Sequence, residues 1–269
     1  MDFLNHVEVL VLTWNEEANL ARTLDALRTF PKVVILDSGS TDATLAIAAR
    51  YPNVRVCARP FDTHAAQWNF GLTDCGITAP WVMALDADYV LPASLVHEIA
   101  NLEPTASVRG YWAGFRYCID GKPLSGSLYP PVMILYRREG ASYAQDGHTQ
   151  RVVIDGEAST LRGEVFHDDR KPLSSWLAAQ DRYAGLECAL LRSTPWSRLR
   201  WRDRLRRMVL ITPWLVPLYC LTIGRGLLDG RRGLLYALQR GIAEAILSAK
   251  LLQAELWGRP PHDEPGGSR

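Results

Sequence analysis

Asp86-Ala87-Asp88 follows the apolar run Pro80-Trp81-Val82-Met83-Ala84-Leu85. Two carboxylates two residues apart on a strand point the same way, and Ala87 keeps the opposite side small. Strand carboxyl ends are where open α/β sheets bind ligands. Acids gathered in a polar crevice repel unless a cation sits between them, and hard oxygen ligands favour Mg²⁺ or Mn²⁺. Taken alone, the triplet also reads as a solvated turn. Its neighbours argue for the metal site.

The elements that position these acids repeat one pattern. An apolar run at 7–12 ends at Thr13-Trp14-Asn15-Glu16-Glu17. Leu20, Leu24 and Leu27 then fall at i, i+4 and i+7, which is helical spacing. A second strand at 32–36 ends at Asp37-Ser38-Gly39-Ser40-Thr41-Asp42. Gly39 permits a tight turn, and Ser40, Thr41 or Asp42 can cap the helix carrying Leu45, Ile47 and Ala48. A short strand at 54–57 follows. Strands alternating with helices predict a parallel α/β sheet. Three polar strand ends on one edge then make a nucleotide-shaped crevice, although any one of these loops is ordinary capping and turn chemistry.

In order and spacing, these loops together with Ala65-Ala66-Gln67-Trp68-Asn69-Phe70-Gly71 and Asp86-Ala87-Asp88 resemble the family 2 glycosyltransferases of the GT-A fold. The remainder, through Trp112, Asp146-Gly147-His148 and Phe166-His167 to about Glu187, is more loosely similar to the branch that includes the bacterial lipopolysaccharide-core β-glucosyltransferases. The resemblance implies an α/β, Rossmann-like mixed sheet flanked by helices, as in nucleotide-diphospho-sugar transferases. It implies transfer of a sugar from a nucleoside-diphosphate donor with inversion at the anomeric carbon.

Roles follow from the resemblance residue by residue. Asp37 matches the acid that accepts a hydrogen bond from the nucleobase, and a carboxylate reading an imide N–H suits uracil and a UDP-sugar. Thr13, Asn15, Glu16 and Glu17 match the loop around base and ribose, with Ser38 and Gly39 in the same donor-binding set. Gln67 and Asn69 match a polar helix face near the diphosphate. Asp86 and Asp88, with Ala87 between them, match the motif whose acids hold Mg²⁺ or Mn²⁺ against the diphosphate and ribose. His148 and His167 are expected to complete the metal site or to contact the diphosphate; a structural role is the alternative for each. Relatives often carry Arg or Lys in the Gln67-Trp68-Asn69 stretch, where Trp68 stands here, so a positive group must come from elsewhere, with Arg59 and His64 as candidates. Inversion also needs a base for the acceptor hydroxyl proton. Asp146, after the strand at 132–136, is the expected catalytic base; the other reading makes Asp146-Gly147 a hairpin turn before the strand at 151–154. Asp168-Asp169 reads as a solvated loop.

Composition frames the rest. The 269 residues, 48% hydrophobic and 22% charged, suffice for one sizeable α/β domain plus an appendage. A net charge of +1 gives no global drive toward nucleic acid. Cys57, Cys75, Cys118, Cys188 and Cys220 are odd in number and lack metal-ligand spacing, which points to a reducing compartment and against structural zinc. Residues 1–6 carry no basic n-region or long apolar core, so no signal peptide is expected. The expected organisation is a catalytic domain at 1–193, a helical region at 194–257 and a disordered tail at 258–269.

The helical region opens with Arg198, Arg200, Arg202, Arg204, Arg206 and Arg207 interleaved with Trp196, Trp201 and Leu205. An uncharged run at 208–223 follows. As a helix it would span about 24 Å, short of the roughly 30 Å hydrocarbon core, and Pro213 and Pro217 should break it. Arg beside Trp-rich apolar residues fits an amphipathic element in the headgroup layer of a membrane. The uncharged neighbour argues against nucleic acid. A last helix, about 233–257, sets Leu234, Leu238, Ile242, Ala245, Ala249 and Leu252 on one stripe. The expected enzyme is a cytoplasmic, peripheral glycosyltransferase on the inner face of the membrane, acting on a lipid-linked or lipopolysaccharide-type glycan acceptor. The alternatives are a soluble or polyprenyl-phosphate acceptor with the helices serving oligomerisation, and a nucleotide-sugar-binding protein without activity.

Overall fold

The computed structural model of the chain describes residues 2–126, 128–146 and 149–258, with backbone alone at 146 and 149. His148 and all but the first residue of the expected tail lie outside the described residues. Two compact units emerge, residues 1–123 with 129–171, and residues 124–128 with 172–269.

The first unit runs β1 (Val7–Thr13), α1 (Leu20–Ala26), β2 (Val33–Asp37), α2 (Thr44–Ala48), β3 (Val54–Ala58), α3 (His64–Thr73), β4 (Trp81–Asp86), β5 (Tyr89–Val90), α4 (Ala93–Ala100), β6 (Val108–Ile119), β7 (Lys122–Pro123), β8 (Val132–Arg137), β9 (Ser142–Asp146), β10 (Thr149–Val153) and β11 (Glu157–His167). The main sheet has the order β3-β2-β1-β4-β8-β6-β11-β5, with β7 paired to β6. The first four strands are parallel, β8 runs antiparallel to β4 and β6, and β11 is parallel to β6. This is the mixed sheet flanked by helices that the resemblance implies. Its central strands read as unbroken apolar runs because both faces are covered. Val9, Val11, Ile35, Met83 and Leu85 pack with Leu20, Leu24 and Leu95 on one face. Leu10, Val34, Leu36 and Val82 meet Trp68, Leu72 and Tyr136 on the other. Gly71 lets α3 approach β1 closely, since a Cβ there would lie 2.5 Å from a Leu10 methyl.

Register delivers the acids to one edge. Thr13 pairs with Asp37, and Leu12 with Asp86, so the carboxyl ends of β1, β2 and β4 finish level. After Asp86-Ala87-Asp88 the chain enters β5, whose Tyr89 pairs with His167 at the end of β11. The buried Thr23 hydroxyl of α1 donates to the Ala87 carbonyl at 2.6 Å and pins this turn from below.

Cys57 and Cys75 correct the sequence reading of reduced thiols: they are joined by a disulfide, with Cα atoms 5.9 Å apart. The end of α3 returns beside edge strand β3, a proximity no spacing rule reveals.

The second unit contains α5 (Leu173–Ser193), α6 (Trp201–Arg207), α7 (Thr212–Leu221) and α8 (Arg231–Leu256). Its core joins Ala184, Cys188 and Leu191 to Leu199, Leu247, Leu251 and Ala254. Arg206 departs from the pattern of its neighbours, reaching Glu187 at 3.3 Å and Glu244 at 2.9 Å. The two prolines do not break α7: Pro213 lies in its first turn, where the missing N–H costs little, and Pro217 sits inside. The expected stripe on α8 is its outer one. Leu234, Leu238, Ile242, Ala245, Ala249 and Leu252 are all exposed, while Tyr236, Ala237, Glu244, Leu247, Leu251 and Ala254 are buried. Among the described residues no helix is long and apolar enough to cross a membrane.

Candidate functional site

The loops after β1 and β2 are zipped together by side chains. Asn15, at φ +53°, places its side-chain oxygen 2.8 Å from the Thr41 N–H, while its own N–H donates to the Ser40 hydroxyl at 2.9 Å. Asn is among the few residues that tolerate this left-handed conformation. The Glu17 N–H reaches Asp42 at 3.0 Å, and the Glu17 carboxylate accepts from the Ala43 N–H. Asp42 also accepts from the N–H of Thr44, the first residue of α2. Gly39 takes φ +91° and faces open space.

Asp37 organises this loop. Only 2% exposed, it accepts from Thr13 Oγ1 at 2.7 Å, Ser40 Oγ at 2.6 Å, and the N–H groups of Gly39 and Ser40 at 2.9 and 2.8 Å. These four bonds occupy the lone-pair positions of the carboxylate. In this arrangement Asp37 shapes the loop that would meet a base, and its oxygens are already spoken for.

The expected helix face splits in two. Gln67 is fully buried, donates to Ser38 Oγ at 3.0 Å and accepts from Arg59 at 2.6 Å, so it buttresses the crevice loop. Asn69 instead engages both backbone polar groups of Tyr143, at 2.8 and 2.9 Å. Its amide fixes β9. Trp68, 3% exposed, stacks on the Tyr143 ring with centroids 5.3 Å apart, which explains an aromatic residue there by packing.

Asp86, Asp88 and Glu16 converge, and their environment shows the strain. Burial, then the charge of Asp88, pushes the Asp86 carboxyl up to about 6, against a hydrogen bond from Tyr89. Burial and the same neighbour push Glu16 up to about 7, despite an ion pair with Lys171 at 2.5 Å. For Asp88, burial opposes ionisation but His167 outweighs it, and the carboxyl is held below its ordinary value. His167 Nε2 lies 3.0 Å from Asp88 Oδ2; burial works against the imidazolium, yet that carboxylate raises its pKa. In this arrangement His167 is the side-chain partner of Asp88. Asp88 Oδ1 is buried with no hydrogen-bond partner. An orphaned carboxylate oxygen beside two further acids is a fitting place for a hard cation. Among the described residues no group of three or more His, Cys, Asp and Glu side chains is already disposed as a metal cage.

Sequence reading missed the strap at 168–171. Asp168 is 4% exposed, contrary to the solvated loop expected. It holds Arg22 and Arg170 at 3.3 and 2.8 Å and accepts from the Gly121 N–H at 3.0 Å. Asp169 accepts from Asn19 at 2.9 Å and from the Lys171 N–H at 3.0 Å. Consecutive charges carry no periodic signal, so nothing local distinguishes this strap from a surface turn. Asp146 ends β9, where it pairs antiparallel with Thr149 of β10.

The profile described as Glycosyl transferase family 2 matches residues 8–146, more than half of the chain. The chain belongs to this family. The glycosyltransferase is 33% identical over 196 residues to the lipopolysaccharide core biosynthesis glycosyltransferase LpsC of Rhizobium meliloti (strain 1021), covering 67% of this chain and 70% of that protein. An uncharacterized glycosyltransferase of Rickettsia felis is 26% identical over 171 residues, with 61% of this chain and 59% of that protein covered. Among solved structures, Staphylococcus aureus TarS 1–349 in complex with UDP-GlcNAc gives a TM-score of 0.49 at 15% identity over 94% of this chain and 92% of that one. Glucosyl-3-phosphoglycerate synthase from Mycobacterium tuberculosis, with Mn²⁺, UDP and phosphoglyceric acid, gives 0.43 at 17% identity over 70% and 79%.

The raised carboxyl of Glu16 in this glycosyltransferase makes a pH prediction. Its folded form keeps the proton up to about 7, while the unfolded chain releases it near 4.5. Its contribution to stability is therefore full below 4.5 and is lost as pH rises toward and through 7. Glu16→Gln, neutral at every pH, should gain in Tm on the wild type between pH 5 and pH 8 in metal-free buffer. A Tm difference constant across that range would refute the assignment.

Proposed function

We propose that this glycosyltransferase transfers a sugar, with inversion, from a nucleoside-diphosphate sugar, taken as a UDP-sugar, to a lipid-linked or lipopolysaccharide-type glycan acceptor at a membrane surface. The observation that carries the donor side is the convergence of Asp86 and Asp88 with the paired loops of β1 and β2 on one sheet edge. The acceptor class is supported by the similarity to LpsC, which is named for lipopolysaccharide core biosynthesis.

Asp86 and Asp88 would hold Mg²⁺ or Mn²⁺, with Asp88 Oδ1 the oxygen that lacks a partner. The ion would supply charge neutralisation at the diphosphate. Thr13, Asn15 and Glu17 keep the base-side loop in shape, and Ser38 and Gly39 form its lip. Asp146 is proposed to receive the acceptor hydroxyl proton as that oxygen bonds to the anomeric carbon and the electron pair of the old bond leaves with the diphosphate.

The membrane reading rests on the helical unit. Trp201, Leu210, Trp214 and Leu218 are 66%, 73%, 80% and 58% exposed, and Arg198, Arg200 and Arg202 of the same unit are exposed too. Apolar side chains left in water together with cations suit an anionic headgroup layer.

Asp88→Asn should abolish turnover and divalent-dependent nucleotide binding, read by sugar transfer and calorimetry; full wild-type activity in excess EDTA would overturn the metal assignment. Asp146→Asn should cut kcat by roughly 10²–10⁴ with donor affinity kept, because only proton transfer is lost. A collapse of donor affinity would instead mark Asp146 as part of the binding site or the hairpin turn. Replacing Arg198, Arg200 and Arg202 with Glu should release the protein from anionic vesicles in co-sedimentation, and salt should weaken wild-type binding without ending it. Arg206 is spared because its ion pairs hold the helices together. Wild-type protein that ignores such vesicles would shift the helical unit to an oligomerisation role.

A further inference from the structure

A positive side chain beside any metal ion would favour a bound diphosphate, and the structure already engages Arg59, the arginine that the sequence offered for this role. Arg59 is committed to Asp62 at 2.8 and 3.0 Å and to Gln67 at 2.6 Å. Arg22 and Arg170 converge on Asp168, and Arg116 holds Glu164. Lys171 is differently placed. Its Nζ donates to Glu16 Oε1 at 2.5 Å and the side chain is 26% exposed. An ammonium has three N–H donors, so two remain for a ligand. Its charge acts on Asp86 and Asp88 as well as on Glu16.

The strap holds that ammonium in position. His167 is anchored on Asp88, Asp168 on Arg22 and the Gly121 N–H, and Asp169 on Asn19. The Arg170 N–H donates to Asn19 Oδ1 at 2.9 Å and the Lys171 N–H to Asp169 at 3.0 Å. Five consecutive residues are thus tied to the crevice side of this unit, and the last of them ends in a flexible four-carbon stem, able to pivot from Glu16 toward an arriving anion.

We propose that Lys171 is a catalytic residue that contacts the donor diphosphate and stabilises the charge developing there as the glycosyl bond breaks. The inference rests on the nucleoside-diphosphate reading above. The electron pair of the breaking bond leaves on the diphosphate oxygen, the acceptor proton goes to the base, and Lys171 keeps all three of its protons. Its contribution is electrostatic, of the preorganised kind. Glu16 holds the ammonium in place when no diphosphate is bound.

The test compares wild type, Lys171→Arg, Lys171→Met and the double variant Glu16→Gln/Lys171→Met, which avoids stranding the Glu16 carboxylate. UDP affinity is measured by calorimetry with Mn²⁺, uridine affinity by ligand-observed NMR, and turnover alongside. Lys171→Met and the double variant should bind UDP at least tenfold more weakly, keep uridine affinity within twofold and lose about 10²–10³ in kcat, the scale of one lost oxyanion donor. Lys171→Arg should recover most of the UDP affinity. UDP affinity unchanged in both Met variants would overturn the contact, and equal losses for UDP and uridine would show that Lys171 only props the loop. Failure of wild-type protein to bind any of UDP, GDP, CDP, ADP or dTDP would instead overturn the nucleotide reading itself, and this contact with it.

Discussion

Three carboxylates share the carboxyl edge of the sheet, and their mutual repulsion away from water constrains everything near them. Glu16 comes from the loop after β1, while Asp86 and Asp88 flank the turn after β4. Removing like charges from solvent raises the cost of ionising each one. The protein meets that cost locally. His167 pairs with Asp88, Lys171 partners Glu16, and Glu16 and Asp86 answer with carboxyls lifted to about 7 and about 6. The site is therefore poised to accept positive charge.

Such a cluster has to be held by the surrounding fold. The short β5 pairs with the end of β11, so His167 arrives beside the acid turn by backbone hydrogen bonding. Thr23 fixes the turn through the Ala87 carbonyl. The loops after β1 and β2 are joined by Asn15, Glu17, Asp37 and Asp42, with scarcely an apolar contact among those groups. Asp37 illustrates the economy of the design: its carboxylate accepts four bonds inside the loop. Removing such a group would leave the buried Thr13 hydroxyl and three part-buried donors without their acceptor, a larger disturbance than the loss of one bond.

The helical unit follows a different logic. Its core is small, and much of its apolar surface stays in water, including the outer stripe of α8 and the Trp residues around α6 and α7. Exposed apolar surface of this extent is a feature that interaction sites share. The Arg-rich segment divides by environment: Arg206 is used inside among Glu187 and Glu244, Arg204 and Arg207 lie over Trp196 and Arg202 over Trp201, and Arg198 and Arg200 remain exposed. Identical side chains close together in sequence thus do three different jobs.

The sequence alone determined the strand-and-helix alternation of the first half, the strand ends at Thr13, Asp37 and Asp86, and the family, because apolar runs and loop motifs are local and periodic. It also located the final helix to within two residues at its start. What it left open depended on contacts between residues distant in the chain. Only the tertiary structure paired His167 with Asp88 and Lys171 with Glu16, buried Asp168, turned Asn69 toward β9, brought Cys57 to Cys75 and selected which face of α8 is covered. Side-chain partners and pKa shifts come from distances in space, burial and neighbouring charge. A loop of Asp, Arg and Lys reads the same in sequence whether solvent or three half-buried carboxylates lie beside it.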